Sequence, residues 1–194
     1  MTAAMIIESM ITTLDREGRA NFAPMGVGWG EEEIVVKPYR ETTTYRNLLE
    51  TGEAVVNLVD DVLYFVRGVL ASPTFPSVPA AVVRGVVLEA ACSWREIRVR
   101  EAETADPRAR FVCDVVHRGV KREFLGYNRA RGAVLEATIL ATRTRLLPIG
   151  EILAEYRRLQ VVVDKTAGPS EHEAMALLTD FVRSEAEALK GRGR

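Results

Sequence analysis

The hydrophobic pattern of the chain changes its period once, near residue 128, and this change limits the folds that are open to it. Before that point most apolar segments alternate with a period of two or form short β-branched runs, which predict strands. After it the apolar residues recur with a period near 3.6, which predicts helices. Since a run of strands precedes a run of helices, we predict an α+β protein. Residues 1–127 would form the β-rich body, and residues 128–194 a helical part that packs on it.

The body also contains shorter segments with their own signals. Strands are predicted at residues 5–14, 21–29, 33–39, 54–59, 85–100 and 110–118. A short helix is predicted at residues 42–51, with Gly52 as its C-cap. Residues 62–71 are ambiguous and favour a helix, whereas the proline-rich residues 72–79 predict a loop.

Three helices are predicted after the change of period. The first covers residues 129–146, with Asn128 as its N-cap, and the second starts at Pro148. In the third, Ser170 and Glu173 have the spacing of a capping box.

Composition excludes several classes of function. The chain has 26 Lys and Arg against 27 Asp and Glu, so a nucleic-acid partner is not expected. No uncharged run reaches the roughly 18 apolar residues of a membrane helix, and no signal peptide is recognised, so we expect a cytoplasmic protein without a membrane partner. Cys92 and Cys113 are expected to be reduced, with a disulfide between them as the alternative. Cys113 and His117 lie four apart on a predicted strand, a spacing that suits a metal only on a helix, so no metal site is predicted.

The stretch PYRETTTYRNLLETG, residues 38–52, has the features of an anion site. Three threonines lie where a strand gives way to a helix, and Arg40 and Arg46 flank them. The threonines are Thr42, Thr43 and Thr44. Free N–H groups at a helix start, hydroxyl groups and two guanidinium charges can converge on a phosphate. The alternative is that one threonine caps the helix and the arginines are solvated.

Two neighbouring segments could contribute to the same site. In residues 21–30, Pro24 requires an edge or bulged strand position, and Gly26 leaves room for a flat group to approach the backbone. The alternative is a twisted edge strand. In residues 52–61, Asn57 is a polar amide in an apolar strand and must find a partner, which is either a ligand or a backbone carbonyl of a neighbouring loop.

Three strings of the sequence together resemble domain-of-unknown-function family 447, whose members are flavoproteins of the FMN-binding split-barrel superfamily. The strings are NFAPMGV, KPYRETTTYRNLLETGEAVVN and YNRARGAVLEATILATR, and the likeness covers nearly the whole chain. It implies an FMN-binding split β-barrel of antiparallel strands with Greek-key-like connections and a helical C-terminal extension. It also implies a homodimer with FMN at the interface between the two chains.

The resemblance implies a set of cofactor-binding residues. Those implied for the FMN phosphate are Thr42, Thr43, Thr44 and the helix that starts there, with Arg40 or Arg46 as the charge partner. Those implied for the flavin ring are Ala23, Pro24, Met25 and Gly26 along one strand, with Lys37 and Asn57 at its polar edge. Asn128 and Arg129 either complete the site from the partner chain or only cap their helix.

The implied function is that of a flavin-dependent reductase of a small organic substrate, with NADH, NADPH or another reduced carrier as electron source. A pterin or another compound of one-carbon metabolism is one candidate substrate. No catalytic side chain is predicted, because the flavin itself performs the redox step. One alternative is a flavin-binding module without turnover that acts as a carrier or partner subunit. Another is a barrel that holds no flavin and serves as an interaction scaffold.

Overall fold

The computed structural model describes residues 5–71 and 73–192, and in this part the chain forms two compact units. The barrel unit consists of the described residues up to 59 together with those from 73 to 124. The helical unit consists of residues 60–71 and the described residues from 125 onwards. The division therefore differs from a single boundary after residue 127, because the segment 60–71 belongs to the helical unit.

The barrel unit contains eight strands and one helix in its described residues. They are β1 (Met5–Leu14), β2 (Ala20–Trp29), β3 (Glu33–Val36), α1 (Thr43–Thr51), β4 (Glu53–Leu58), β5 (Ser77–Pro79), β6 (Val86–Leu88), β7 (Ser93–Glu103) and β8 (Arg110–Val120). Six strands form a closed barrel in the order β1-β2-β3-β8-β7-β4, and every neighbouring pair is antiparallel. Strands β5 and β6 pair as a separate two-stranded ribbon. The predicted antiparallel barrel with an α+β architecture is confirmed.

The barrel begins with the β1–β2 hairpin, in which the predicted strands 5–14 and 21–29 pair with each other. Its register runs without a shift from Met5 opposite Trp29 to Leu14 opposite Ala20. Gly18 closes the turn with a φ of 84°, a left-handed conformation that glycine adopts without steric cost.

The interior of the barrel is apolar and fully enclosed. Side chains from all six barrel strands meet there, among them Ile11, Val27, Ile34 and Phe111, each with 0% exposure. Burying one such side chain stabilises the fold by about 1.5–3 kcal/mol. The outer face of β1 is covered as well, because the Thr12 hydroxyl donates a hydrogen bond to a backbone carbonyl of β6. This double burial explains why β1 is apolar or uncharged on both faces over its second half.

One edge of strand β2 is paired with another strand along only part of its length. The strand pairs with β1 along its whole length, but with β3 only at Gly28 and Trp29. Pro24 lies opposite Met10 of β1, in the stretch that has no strand on its other side among the described residues. The predicted edge position of Pro24 is therefore correct, since proline lacks the N–H that a second neighbour would need.

Two strand predictions are wrong in their extent. The predicted strand 33–39 ends at Val36, shortly before Pro38, and only an isolated bridge at Tyr39 continues it. The predicted strand 85–100 is two strands, because the chain turns after β6 and Ala91 donates to the carbonyl of Leu88. Strand β5 lies inside the segment predicted as a loop, where pairing with β6 imposes an extended backbone that the local sequence does not signal.

A buried carboxylate holds one loop of the barrel unit. Glu96 of β7 is 0% exposed and accepts hydrogen bonds from the N–H groups of Ala81 (2.9 Å), Val82 (2.6 Å) and Val83 (2.9 Å). The Trp94 indole donates a further bond of 3.2 Å. Burial by itself would raise the pKa of Glu96, but these donors hold that pKa below its usual value. The loop thus binds an anion that the chain itself supplies.

The helical unit has four helices around a core of its own. They are α2 (Leu63–Leu70), α3 (Arg129–Ala141), α4 (Ile149–Thr166) and α5 (Pro169–Arg192). The core includes Val66, Val134, Ile152 and Leu178, each at most 1% exposed. No helix in residues 5–71 or 73–192 is long and apolar enough to cross a membrane.

Two helix predictions need correction. Helix α3 ends at Ala141 rather than near residue 146, because its C-cap Thr142 is followed by tight turns. The capping box predicted at the start of α5 is wrong, since Ser170 donates instead to the Asp61 carboxylate. The Glu171 carboxylate takes the capping role and accepts from the N–H of Gly168 at 2.8 Å.

Candidate functional site

Helix α1 is fixed at both ends by local interactions. Thr42 is the N-cap: its hydroxyl accepts from the N–H of Tyr45 at 3.3 Å and donates to the carbonyl of Tyr39 at 2.7 Å. Gly52 ends the helix with a φ of 69°. The remaining N–H groups of the first turn have no acceptor inside the helix, as at every helix start. The start of α1 therefore offers backbone donors and a partial positive charge.

The three threonines at this point have three different roles. Thr42 caps the helix, as the alternative interpretation of the sequence proposes. Thr44 is 2% exposed and accepts a hydrogen bond of 3.1 Å from the Asn21 amide. Thr43 is exposed, and its hydroxyl lies 3.0 Å from the Nη2 of Arg46. Among these threonines, Thr43 is the one that presents its hydroxyl and a guanidinium to solvent together.

A network of amides and hydroxyls holds α1 against the β1–β2 hairpin. The Asn47 amide donates to the Thr13 hydroxyl at 3.0 Å, and the Asn21 amide contacts both Thr13, at 3.5 Å, and Thr44. Thr13 and Asn47 are buried. The network joins the first turn of α1 to the start of β2, which are more than twenty residues apart in sequence. Asn21 lies inside the NFAPMGV motif, yet the sequence does not show that it bonds to the threonine run.

The predicted ring-binding stretch is the part of β2 with the unpaired edge. Ala23, Pro24, Met25 and Gly26 are all half-buried. A Cβ on Gly26 would lie 2.8 Å from the Ile6 side chain of β1, so a larger residue there would require that exposed side chain to shift. This stretch can offer a narrow strip of backbone to a flat ligand, in which Pro24 contributes a carbonyl but no N–H.

Four cations on or beside the segment that leads into α1 have no carboxylate partner within the described residues. Lys37, Arg40, Arg46 and Arg108 are exposed, and within the described residues none of them lies within 4.0 Å of a carboxylate oxygen. The exposed Glu41 lies among them in sequence and forms no ion pair in that part of the chain either. These charges and donors are the ones that an anion site needs.

Arg108 is a further cation beside this segment that the sequence does not reveal. It lies about seventy residues from Lys37, yet its Nε donates to the Lys37 carbonyl at 3.3 Å. Its guanidinium stacks 4.9 Å from the centre of the Tyr39 ring. The isolated bridge between Tyr39 and Arg108 brings the two segments together. No local motif signals this contact, because it depends on the pairing of β3 with β8.

Asn57 has a structural role. It is 0% exposed, and its amide donates to the Met10 carbonyl at 3.0 Å and to the Thr12 hydroxyl at 3.2 Å. Its Oδ1 accepts from the N–H of Leu88 at 2.9 Å. The polar atoms are thus satisfied inside the barrel wall, and the alternative of a backbone partner accounts for this residue.

Asn128 and Arg129 belong to the helical unit. Asn128 is the N-cap of α3, with its Oδ1 2.8 Å from the N–H of Ala130 and its amide 2.9 Å from the Thr166 carbonyl. Arg129 is exposed. Helix capping therefore uses both ends of the Asn128 side chain.

The cysteines do not add to the site. Cys92 and Cys113 are both buried, and no disulfide joins them. Burial raises the pKa of the Cys113 thiol to about 12, so this thiol is not a nucleophile. In the described part of the chain no group of three or more His, Cys, Asp and Glu side chains could hold a metal ion.

Family models match both parts of the chain. The model of the N-terminal domain of a protein of unknown function (DUF447) matches residues 7–122. A second model of the same protein of unknown function matches residues 128–180.

The fold is similar to that of several solved structures, one of which is FMN-bound. An FMN-bound DUF447 protein from Methanosarcina mazei has 27% sequence identity and a TM-score of 0.77, over 92% of this chain and 95% of that one. Nitrilotriacetate monooxygenase component B from Bacillus cereus has 20% identity and a TM-score of 0.52, over 67% of this chain and 79% of that one. A 2-nitrobenzoate 2-nitroreductase from Pseudomonas fluorescens has 19% identity and a TM-score of 0.50, over 59% of this chain and 64% of that one.

Proposed function

The chain belongs to the DUF447 family of proteins of unknown function, and on that premise we propose that it binds FMN and acts as a flavin-dependent reductase of a small organic substrate. The similar protein from Methanosarcina mazei is described as FMN-bound, and the likeness covers 92% of this chain. The other two neighbours share less than 25% identity and support the fold alone.

The observation that most supports the proposal is the group of unpaired cations at the start of α1. A phosphate monoester is close to a dianion at neutral pH. Arg40 and Arg46 would neutralise it, while the Thr43 hydroxyl and the first N–H groups of α1 would donate to its oxygens. We assign Thr42 and Thr44 to positioning, because their hydroxyls are already used within the chain.

The flavin ring is proposed to lie along the unpaired edge of β2. Residues 23–26 suit a planar ligand, since this edge has no neighbouring strand among the described residues and leaves backbone groups available, although Pro24 offers only its carbonyl. The hydrogen bond between Asn21 and Thr44 holds this stretch next to the proposed phosphate donors. Lys37 is exposed beside them and is our candidate for the polar edge of the ring.

When bound, FMN would supply the electron transfer chemistry, and the chain would contribute binding, orientation and control of access. We propose NADH or NADPH as the electron source and keep a pterin or one-carbon compound as a candidate substrate. The proposed site needs no acid or base of its own, because the flavin would carry out the redox step.

A homodimer is part of the proposal. The first residues of β1 leave apolar surface in solvent, with Met5 61% and Ile6 60% exposed. A second copy of the chain could cover this surface and complete a binding groove along β2. Light scattering coupled to size exclusion tests the dimer, and a mass of 21.5 kDa would contradict it.

Cofactor binding is tested on the protein as purified. We expect a yellow protein whose released ligand has the mass of FMN, and we expect added FMN to raise the melting temperature of the apoprotein. A colourless protein that FMN does not stabilise would contradict the flavin proposal and favour the interaction scaffold.

Turnover is tested separately. We expect NADH or NADPH to bleach the bound flavin in the absence of oxygen. A yellow protein that neither donor reduces would favour a flavin carrier or partner subunit over a reductase using these donors.

A further inference from the structure

The helical unit contains a cleft that the proposed flavin site does not use. It consists of two adjoining cavities of about 350 and 360 Å³, between the end of α2, the turn after α3 and the last third of α5. We call it the α5 cleft. Its apolar surface comes from Val69, Ala141, Phe181 and Leu189. A volume of this size is within the range of small-molecule sites, roughly 300–1,000 Å³.

The α5 cleft is lined by a threonine whose hydroxyl is open to the cleft. Thr144 is 7% exposed as a residue and lines both cavities. Within the described residues its side chain makes no hydrogen bond, although the neighbouring Thr142 hydroxyl donates to the Ile139 carbonyl at 2.7 Å. The Thr144 oxygen is accessible to solvent, so a molecule in the cleft can bond to it in place of water.

Two opposite charges line the same cleft and do not neutralise each other. Arg145 and the half-buried Glu185 each line both cavities. In the described part of the chain neither forms an ion pair within 4.0 Å. Helix α3 ends beside them, and the C-terminal end of a helix adds partial negative charge. The cleft therefore has one site for an anionic group and one for a cationic group above an apolar surface.

We propose that the α5 cleft binds a zwitterionic amino acid with an apolar side chain. The carboxylate would pair with the Arg145 guanidinium, which takes carboxylates through two parallel hydrogen bonds. The ammonium group would pair with Glu185, and the apolar side chain would lie on Phe181 and Leu189. The Thr144 hydroxyl would bond to one of the two charged groups. Glu185 and Arg145 together disfavour a ligand with a single charge, because one of them would then face it unpaired.

The test is calorimetric titration of the full-length protein with L-leucine. We expect saturable binding with one site per chain. We expect 4-methylpentanoate, which lacks the ammonium group, and 3-methylbutylamine, which lacks the carboxylate, to bind at least about tenfold more weakly. Because the readout is independent of FMN, its failure and the failure of the flavin proposal are distinguishable.

Matched variants separate the cleft from the rest of the surface. R145M and E185Q are expected to weaken L-leucine binding by roughly tenfold or more each. R143M and E187Q change exposed neighbours that do not line the cleft and should leave the affinity unchanged. T144V should weaken binding without lowering the melting temperature, since the hydroxyl has no partner in the chain to lose.

Three results would overturn the proposal. The first is the absence of saturable binding of L-leucine up to about 10 mM. The second is equal binding of L-leucine by the wild type, R145M and E185Q when circular dichroism shows all three folded. The third is binding of either singly charged analogue with the affinity of L-leucine.

Discussion

Two places in the barrel unit direct backbone N–H groups at one point, and they differ in what fills that point. The loop at residues 81–83 donates three N–H groups to the Glu96 carboxylate, which is 0% exposed. The start of α1 has spare N–H groups, the Thr43 hydroxyl and four cations, but no carboxylate of the described chain pairs with those cations. The same backbone chemistry stabilises the fold where the chain supplies the anion, and it provides our proposed binding site where the chain does not.

The largest effect on stability is expected at the loop that binds the Glu96 carboxylate. Glu96→Ala removes the anion and leaves three N–H groups and the Trp94 indole without their acceptor. We expect the free energy of unfolding to fall by about 2–4 kcal/mol, measured by urea denaturation. If the free energy of unfolding fell by no more than it does for an ordinary surface substitution, the loop would not be held by this carboxylate.

The Glu96 carboxylate also makes the free energy of unfolding depend on pH. Because the pKa of Glu96 is held below its usual value, its contribution is present above the pKa of the unfolded chain and disappears as pH falls through the folded pKa. We expect Glu96→Gln to flatten the dependence of unfolding free energy on pH below about pH 4.5. If the unfolding free energy of this variant fell at acid pH as steeply as that of the wild type, Glu96 would not be the group responsible.

At the start of α1, where the chain supplies no anion in its described residues, substitutions are expected to weaken binding rather than stability. The double variant R40M/R46M should weaken FMN binding by about 10–100-fold, because two guanidinium groups no longer face the phosphate. Its urea midpoint should stay at the wild-type value or rise, since neither arginine has an ion pair to lose in the described chain. Fluorescence titration with FMN measures the first quantity. If R40M/R46M lowered the urea midpoint and left the affinity for FMN unchanged, the two arginines would be structural and the proposed binding role would be contradicted.

A smaller effect separates two adjacent threonines. Thr43→Val should weaken FMN binding by about 0.5–1.5 kcal/mol and leave stability unchanged, because its hydroxyl is exposed. Thr44→Val should instead lower the free energy of unfolding, since Asn21 loses its acceptor at 3.1 Å. If both variants changed only FMN affinity, the inward placement of Thr44 would be contradicted.

The smallest effect is expected for an arginine that already has a partner. Arg98 forms an ion pair of 2.8 Å with Glu53, and its side chain is 52% exposed. Arg98→Met should lower the free energy of unfolding by at most about 1 kcal/mol. It should leave FMN affinity unchanged, which makes it the control for the R40M/R46M variant.

Much of the barrel could be predicted because its signals are local. The β1–β2 hairpin, the limits of α1 and the edge position of Pro24 follow from alternation, capping residues and the missing N–H of proline. The break between β6 and β7 could not be predicted in this way. It depends on pairing with β5 and β4, and pairing partners are distant in sequence.

The sequence by itself determined the α+β order and the family, and it indicated residues 38–52 as the proposed anion site, because periodicity, capping and motif spacing are properties of neighbouring residues. Only the tertiary structure decided which polar side chains of this region are already used by protein partners. It turned Thr44 and Asn57 inward to protein partners and brought Arg108 to Lys37 from about seventy residues away. The physical reason is that a polar side chain takes whichever partner the folded chain brings within hydrogen-bonding distance, and that partner is set by strand pairing rather than by its neighbours in sequence.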